Sequence, residues 1–329
     1  MCLATSTIRV SANDMIGRIV EIASDGRYLS LDRGFLVVSH RGEEVGRTPI
    51  DDVAGLIGNA HGLSYSNNVL VALAERGCPF VLCGANHRPV GVLWPVEGHH
   101  RQAARMDAQL RASLPLRKRL WKSLVQAKLG MQAATLSLFG LPTTSLRRLV
   151  RRVRSGDPSN VEGHGARVYW SLLFGSAFRR DVDAKGINSM LNYAYAVLRA
   201  TVARHVMAAG LHPGVALHHA NEGNPMRLVD DLIEPFRPIA DAWVRRLNAQ
   251  GIAEVDANAR RALGLLPTRS LRTAQGVSPL TSVVQRLAVS LAQVYERQIA
   301  DLVLPPTANE VLSALWDEGH DAQSDEEGS

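Results

Sequence analysis

The sequence predicts an α+β protein: a small N-terminal β-rich domain followed by a larger all-α domain. Three observations predict it. The first hundred of the 329 residues hold short β-branched and apolar runs separated by Gly, Asp and Asn turns. From Arg101 to about Leu302, apolar residues instead recur at three- and four-residue spacing over long stretches. The composition changes between the two, around Pro95–His100, and no repeat of fixed period runs through the chain. The expected segments are an N-terminal extension at 1–14, a β-rich domain at 15–100, a helical domain at 101–304 and an acidic tail at 305–329.

In chain order, GRIVEIA, YLSLD and FLVVSH read as strands closed by the turns SDG, RG and RGEE. VAGLIG, CPFVLCG and GANHRPVGVLW continue the pattern. SNNVLVALAERG between them reads as one short helix, capped by Ser66 or Asn67 and stopped by Gly77. The helical periods then cover 103–114, 116–139, 143–154, 160–179, 187–209, 225–249 and 279–302. Breaks are expected at Leu114-Pro115, Leu141-Pro142, Asp157-Pro158, Lys185-Gly186 and Gly210 to Gly214.

Composition excludes several classes. With 46% hydrophobic and 21% charged residues, the chain is neither disordered nor a coiled-coil rod. No apolar run reaches the roughly 18–20 residues of a membrane span, and Met1 to Asp14 lacks the pattern of a signal peptide. Cys2, Cys78 and Cys83 cannot form a disulfide framework, and the spacing of the last two is not a zinc knuckle. A reduced, cytoplasmic location is expected.

The net charge of +6 is unevenly spread. Residues 101–180 carry sixteen Lys/Arg against three acids (Asp107, Asp157, Glu162), a local excess of +13 that leaves −7 for the rest. The block RASLPLRKRLWKSLVQAKL followed by SLRRLVRRVRSGD is helical in period and nearly free of acids. It reads either as solvated helix faces or as a surface for phosphate backbones, and the scarcity of acids favours the second. The tail from Asp317 holds six acids and no Lys or Arg, which serves solubility or shields a basic face electrostatically.

Three segments combine polar residues unsuited to a core. In DPSNVEGHGARVYW, Ser159 and Glu162 stand in the capping-box relation, so Glu162 either caps a helix or carries chemistry. Gly163 and Gly165 beside it would let something bulky, such as a nucleic-acid backbone, come close. HPGVALHHANEGNP places His218 and His219 in a Gly/Asn/Pro-rich connection. In NPMRLVDDLIEPFRP, Asn224 can cap a helix opening at Pro225. Asp230 and Asp231 then lie one turn from Glu234, an arrangement whose repulsion a divalent cation would relieve. Pro235 must kink or restart this helix just after Glu234. Carboxylates with one imidazole suit Mg²⁺ or Mn²⁺ better than zinc, and the imidazole tilts the preference toward Mn²⁺.

These residues resemble the CRISPR-associated integrase of spacer acquisition, the Cas-one family, over roughly Ile16 to Val303. The resemblance is carried by WKSLVQAKLGMQAATL, with Trp121, Lys128, Gln132 and Leu136 in place, by SNVEGHGARVYWSLLFG, and by LHHANEGNPMRLVDDLIEPFRPIAD. The ending EPFRP and the form G-x-x-A-R-x-Y-W look most like the branch accompanying the large single-protein effector nuclease. The resemblance implies that Glu162, His219 and Glu234 are catalytic metal ligands. Asp231 would be an accessory, and His218 would support the site or face DNA. Residues 1–14 and the chain beyond Leu302 have no counterpart in the family.

The resemblance further implies a metal-dependent DNA endonuclease and integrase whose all-α domain is catalytic, which inserts short DNA fragments into a repeat array and whose site could also cut DNA with water as nucleophile. In the insertion, the 3′-hydroxyl of the fragment attacks a phosphodiester. Its partners would be double-stranded DNA, a second copy of the chain, with dimerisation and DNA contact through 15–100, and a small ferredoxin-like companion that completes a heterohexamer. Arg117, Lys118, Arg119, Lys128, Arg147, Arg148, Arg151 and Arg152 are the candidate phosphate contacts. The rivals are a metal-dependent repair nuclease that never joins DNA and a catalytically silent DNA-binding scaffold.

Overall fold

The computed structural model describes residues 18–84, 89–93, 101–273, 276–307 and 312. The extension at 1–14 and the acidic stretch from Asp317 lie outside them. The chain divides into two compact units, Met1–Gly98 and His99–Ser329.

The first unit holds two four-stranded sheets. In one, β1 (Arg18–Ile22) runs parallel to β5 (Val53–Gly58) and β5 parallel to β7 (Phe80–Cys83), while β8 (Pro89–Leu93) closes antiparallel on β7. In the other, β2 (Arg27–Asp32), β3 (Phe35–His40) and β4 (Glu43–Pro49) form an antiparallel meander, and β6 (Ser64–Tyr65) pairs parallel with β2. Helix α1 (Asn67–Glu75) buries Val69, Ala72 and Leu73 in a core shared with Leu29, Leu36, Ile50, Leu56 and Phe80. Strand β4 lies where a turn is expected, because its Glu43, Glu44 and Val45 are exposed and carry no inward apolar run.

The second unit comprises α2 (Gln102–Leu110), α3 (Leu114–Leu138), α4 (Thr144–Arg152), α5 (Val161–Phe174), α6 (Ile187–Ala208), α7 (Arg227–Leu232), α8 (Arg237–Ala249), α9 (Ala257–Gly264) and α10 (Leu280–Tyr295). Pro115 stands in the first turn of α3 behind the Ser113 cap, where its missing N–H costs nothing. Helix α5 ends at Phe174, short of the expected 179, where Gly175 takes φ +95°. Helix α10 ends at Tyr295, short of 302, and Arg297 turns the chain away at φ +59°. The expected helix at 225–249 is two helices with a 3-10 turn, Glu234–Phe236, between them. It opens at Arg227 rather than Pro225, because Asn224 spends its carboxamide oxygen on the Met226 amide.

In the second unit, a helix and a hairpin escaped the periodic reading. Helix α9 is short and capped by Asp256, which accepts the Ala259 amide at 2.7 Å. A hairpin, β9 (Ser270–Thr273) with β10 (Gly276–Pro279), interrupts the otherwise helical unit. Among the described residues, no helix is long and apolar enough to cross a membrane.

Candidate active site

The site grows from the start of α5. Asp157 and Asn160 both take left-handed conformations, φ +46° and +47°, which Asp and Asn tolerate better than other residues. This turns the Asp157 carboxylate onto the amides of Val161 and Glu162, each at 2.9 Å, and the Asn160 side chain onto Gly163 N at 3.0 Å. The first-turn donors are thereby satisfied without Ser159, and the Glu162 carboxylate is released from the capping box for the Lys128 ammonium. Gly165 is needed for packing: a Cβ there would stand 2.2 Å from Leu129 Cδ2 on α3. It is buried between helices, so the expectation that it admits a nucleic-acid backbone is corrected.

Across the α3–α5 contact, the Lys128 ammonium donates to both Glu162 and Glu234. Lys128 and Glu234 are buried, and Glu162 is partly open to solvent. Burial works against the charge on Lys128, but Glu234 and Glu162 outweigh it and the ammonium is held on. Burial alone would likewise raise Glu234; Arg237 and Lys128 overcome it and hold the carboxyl down to about 2. Lys128 as a surface phosphate contact is therefore corrected: its charge is spent on two carboxylates in the interior.

The connection between α6 and α7 carries His219. Asp231, wholly buried, accepts the amides of Leu217 at 2.6 Å, His218 at 3.2 Å and His219 at 3.2 Å. Its Oδ1 also accepts Nδ1–H of His219 at 2.7 Å, which leaves Nε2 with the lone pair. This hydrogen bond raises the His219 pKa from its ordinary value, against the effect of burial. Asp231, expected as an accessory to the site, has both carboxylate oxygens engaged in shaping the loop and aiming the ring. His218 stacks flat on Trp121, centroids 4.3 Å apart and planes within 2°, while Trp121 meets His219 edge-on at 5.7 Å. Partial burial pushes the His218 pKa down.

The three acids of the 230–234 segment diverge. Asp230 pairs with Arg199 at 2.8 Å and accepts from Asn224 at 2.6 Å, Asp231 takes the histidine loop, and Glu234 turns to Lys128 and Arg237. Behind Glu234, Arg237 Nε donates at 2.9 Å while its guanidinium lies 4.6 Å from the Tyr195 ring centroid. Tyr195 and Tyr169 both donate their hydroxyls to the buried Asp241, at 2.5 and 3.0 Å. Burial pushes the Asp241 pKa up to about 7 despite those donors. Among the described residues, no three His, Cys, Asp or Glu side chains stand together as a ligand set. Glu162 and Glu234 meet through Lys128, and His219 rests on Asp231.

Of the other candidate phosphate contacts, Arg147, Arg148, Arg151 and Arg152 are exposed along α4, whose Leu146 and Leu149 are buried. Among the described residues, none of the four has an acidic partner. Lys118 lays its stem against Gly156, Arg119 donates to the Ala300 carbonyl at 2.9 Å, and the Arg117 Nε is enclosed.

Residues 20–273 match the family model for CRISPR associated protein Cas1. The chain belongs to the Cas1 family. A CRISPR-associated endonuclease Cas1 from Neisseria meningitidis serogroup C (strain 8013) is 35% identical over 289 residues, 86% of this chain and 94% of that one. The expected likeness to the Cas1 branch of the large single-effector systems agrees with this relative. The fold is that of a casposase bound to integration product, at TM-score 0.74 and 21% identity, covering 88% of this chain and 94% of that one. It is also that of a Cas6-RT-Cas1–Cas2 complex chain, at TM-score 0.67 and 15% identity, covering 94% of this chain and 37% of that one. The protein is thus an enzyme of the Cas1 endonuclease and integrase family, with the α+β order expected of it.

Four contributors to this Cas1 site were missed in the sequence: Asp157, Arg237, Asp241 and the ion-pairing role of Lys128. The Asp-Pro-x-Asn run of 157–160 was the one local signal available, since such residues favour left-handed turns and caps. Arg237 and Asp241 carried none, because only the fold brings them to Glu234 and Tyr195.

Proposed function

We propose that this chain joins short DNA fragments to a repeat array with a divalent ion, Mg²⁺ or Mn²⁺, held by Glu162, His219 and Glu234. One observation carries the reading: two carboxylates from different elements close on a single cation, and one of them, Glu234, acts electrostatically on an imidazole whose Nδ1 is tied to a carboxylate. Metal-ligating histidines are oriented in that way. Two carboxylates and an imidazole are donor types that suit a hard or borderline divalent ion, which would draw them together once the lysine gives way. When bound, the ion polarises the phosphoryl oxygen and favours the attacking 3′-alkoxide.

The chain's own groups do the rest. Asp231 keeps the His219 proton on Nδ1, so that Nε2 is free to ligate. Arg237 fixes Glu234, and Asp157 holds the backbone from which Glu162 projects. The exposed arginines of α4 bind phosphates without reading sequence. Residues 15–100 serve dimerisation and DNA contact, and a small ferredoxin-like companion bridges two dimers in the cytoplasm. The likeness to a casposase solved with integration product and to a chain solved in a Cas1–Cas2 complex supports joining and a companion.

The test is a half-site joining assay with labelled fragment, repeat-bearing plasmid and companion subunit. Glu162→Ala, His219→Ala and Glu234→Ala should each abolish joining. Joining at the wild-type rate in Glu234→Ala would overturn the site. Cutting in Mn²⁺ with no joining would instead identify a hydrolytic nuclease.

A further inference from the structure

Glu234 and Glu162 are satisfied by two cations of different character. Arg237 is fixed from a second side: its guanidinium lies over Tyr195, whose hydroxyl is bound to buried Asp241. Its donation to Glu234 Oε1 therefore belongs to a braced network. Among the described residues, Lys128 has no such brace. Its ammonium ends a flexible four-carbon stem and donates to Glu162 Oε1 and Glu234 Oε2, the oxygens through which the two elements meet. A divalent ion ligated by both carboxylates would compete with the ammonium for these oxygens, the only one of Glu234 not taken by Arg237 among them.

We propose that Lys128 is the site's own counter-cation, that a divalent ion enters by displacing it, and that Arg237 stays to hold Glu234 for the incoming ion. The proposal rests on the assignment of Glu162, His219 and Glu234 as metal ligands. The geometry gives it three physical consequences. Two carboxylates from α5 and the 3-10 turn are kept from repelling each other, so the fold does not need the metal to close. Metal affinity is lowered by the lysine pairing that must first be broken. The displaced ammonium, on its long stem, leaves the interior by the partly exposed Glu162 side.

The experiment is Mn²⁺ titration calorimetry on the full chain without DNA, for the wild type, Lys128→Met, Arg237→Met and Glu234→Gln. Lys128→Met should bind Mn²⁺ about tenfold or more tightly than the wild type, since charge-assisted bonds no longer oppose loading. Arg237→Met should bind no tighter. Equal or weaker binding by Lys128→Met would overturn the proposal, and tighter binding by both variants would reduce it to a general effect of positive charge and overturn the role given to Lys128. Mn²⁺ binding in the wild type that does not change in Glu234→Gln would overturn the ligand assignment, and the proposal with it. Should Lys128→Met fail to fold, reductive methylation of the wild type read by mass spectrometry decides. Mn²⁺ should raise Lys128 labelling severalfold, and unchanged labelling refutes displacement.

Discussion

Replacing Asp231 with Asn separates an orienting carboxylate from a ligand. Its two oxygens take four hydrogen bonds: the Leu217 and His218 amides on Oδ2, the His219 amide and Nδ1 on Oδ1. An amide group exchanges one acceptor for a donor, so two of the four donors lose their partner whichever way it sits. At about 1.5–3 kcal/mol for each hydrogen bond to a charged group, the loss is at most roughly 3–6 kcal/mol, and about half of that where Nδ1 sheds its proton and accepts from the new NH₂. It falls first on the 212–226 loop, which can loosen without global unfolding. With its oxygen kept on the Leu217 and His218 amides, the substituted carboxamide turns its NH₂ to Nδ1, and the His219 proton moves to Nε2. The nitrogen assigned to the metal is then blocked. Mn²⁺ affinity should fall about 10–100-fold, the range for loss of such an orienting partner, and joining should fall with it. The pH dependence gives a second readout. The Asp231 hydrogen bond raises the His219 pKa, so protons displace metal from the wild type at a higher pH than from an ordinary imidazole. In Asp231→Asn that inflection should move down even as affinity drops. Wild-type Mn²⁺ affinity and joining in Asp231→Asn would refute the orienting role.

Three further outcomes test the frame around the site. Gly165→Ala drives a methyl into Leu129 and should lower stability by about 1–3 kcal/mol in urea unfolding; an unchanged midpoint would contradict the close α3–α5 approach. Burial, aided by Arg204, pushes the His205 pKa down to about 3, and its Nε2 lies 2.8 Å from Thr281 Oγ1. The unfolded chain thus binds the extra proton as pH falls below about 6.5, and the fold loses about 2 kcal/mol from this group by pH 5. His205→Gln should be less sensitive to acid by that amount, as measured by denaturation at pH 7 and pH 5. Neutralising Arg147, Arg148, Arg151 and Arg152 with Gln should flatten the salt dependence of duplex binding by about 0.9 for each phosphate no longer neutralised. An unchanged slope would place the DNA elsewhere.

The order of the fold was legible because its signals are periodic. Strands such as FLVVSH, and helices α3 and α6 with long apolar periods, announce themselves within a few turns. What stayed hidden depends on tertiary packing rather than period. Strand β4 shows exposed charges, α9 is barely two turns long, and the ends of α5 and α10 are set by single positive-φ residues, Gly175 and Arg297. At the site, Glu162, His219 and Glu234 stood out as polar residues in turns or beside helix breakers. Lys128 did not, because a lysine in an amphipathic helix looks alike whether it faces water or a buried carboxylate.

The 230–234 segment shows why spacing alone misleads here. An unbroken helix would stack Asp230, Asp231 and Glu234 on one side, and their repulsion would call for a cation. The helix is broken: Pro235 cannot donate to the Asp231 carbonyl, and the chain tightens into the 3-10 turn at Glu234. That change of pitch lets each acid find its own partner, Arg199 for Asp230, the histidine loop for Asp231, and Lys128 with Arg237 for Glu234. The repulsion is thus relieved inside the fold, and it gives no grounds for a metal. The grounds lie instead in a pairing that no local pattern encodes, Glu162 against Glu234 across one ammonium. The basic excess of 101–180 divides along the same line. One of its lysines is turned inward to hold that pair together, while the arginines of α4 remain outside, exposed for phosphate.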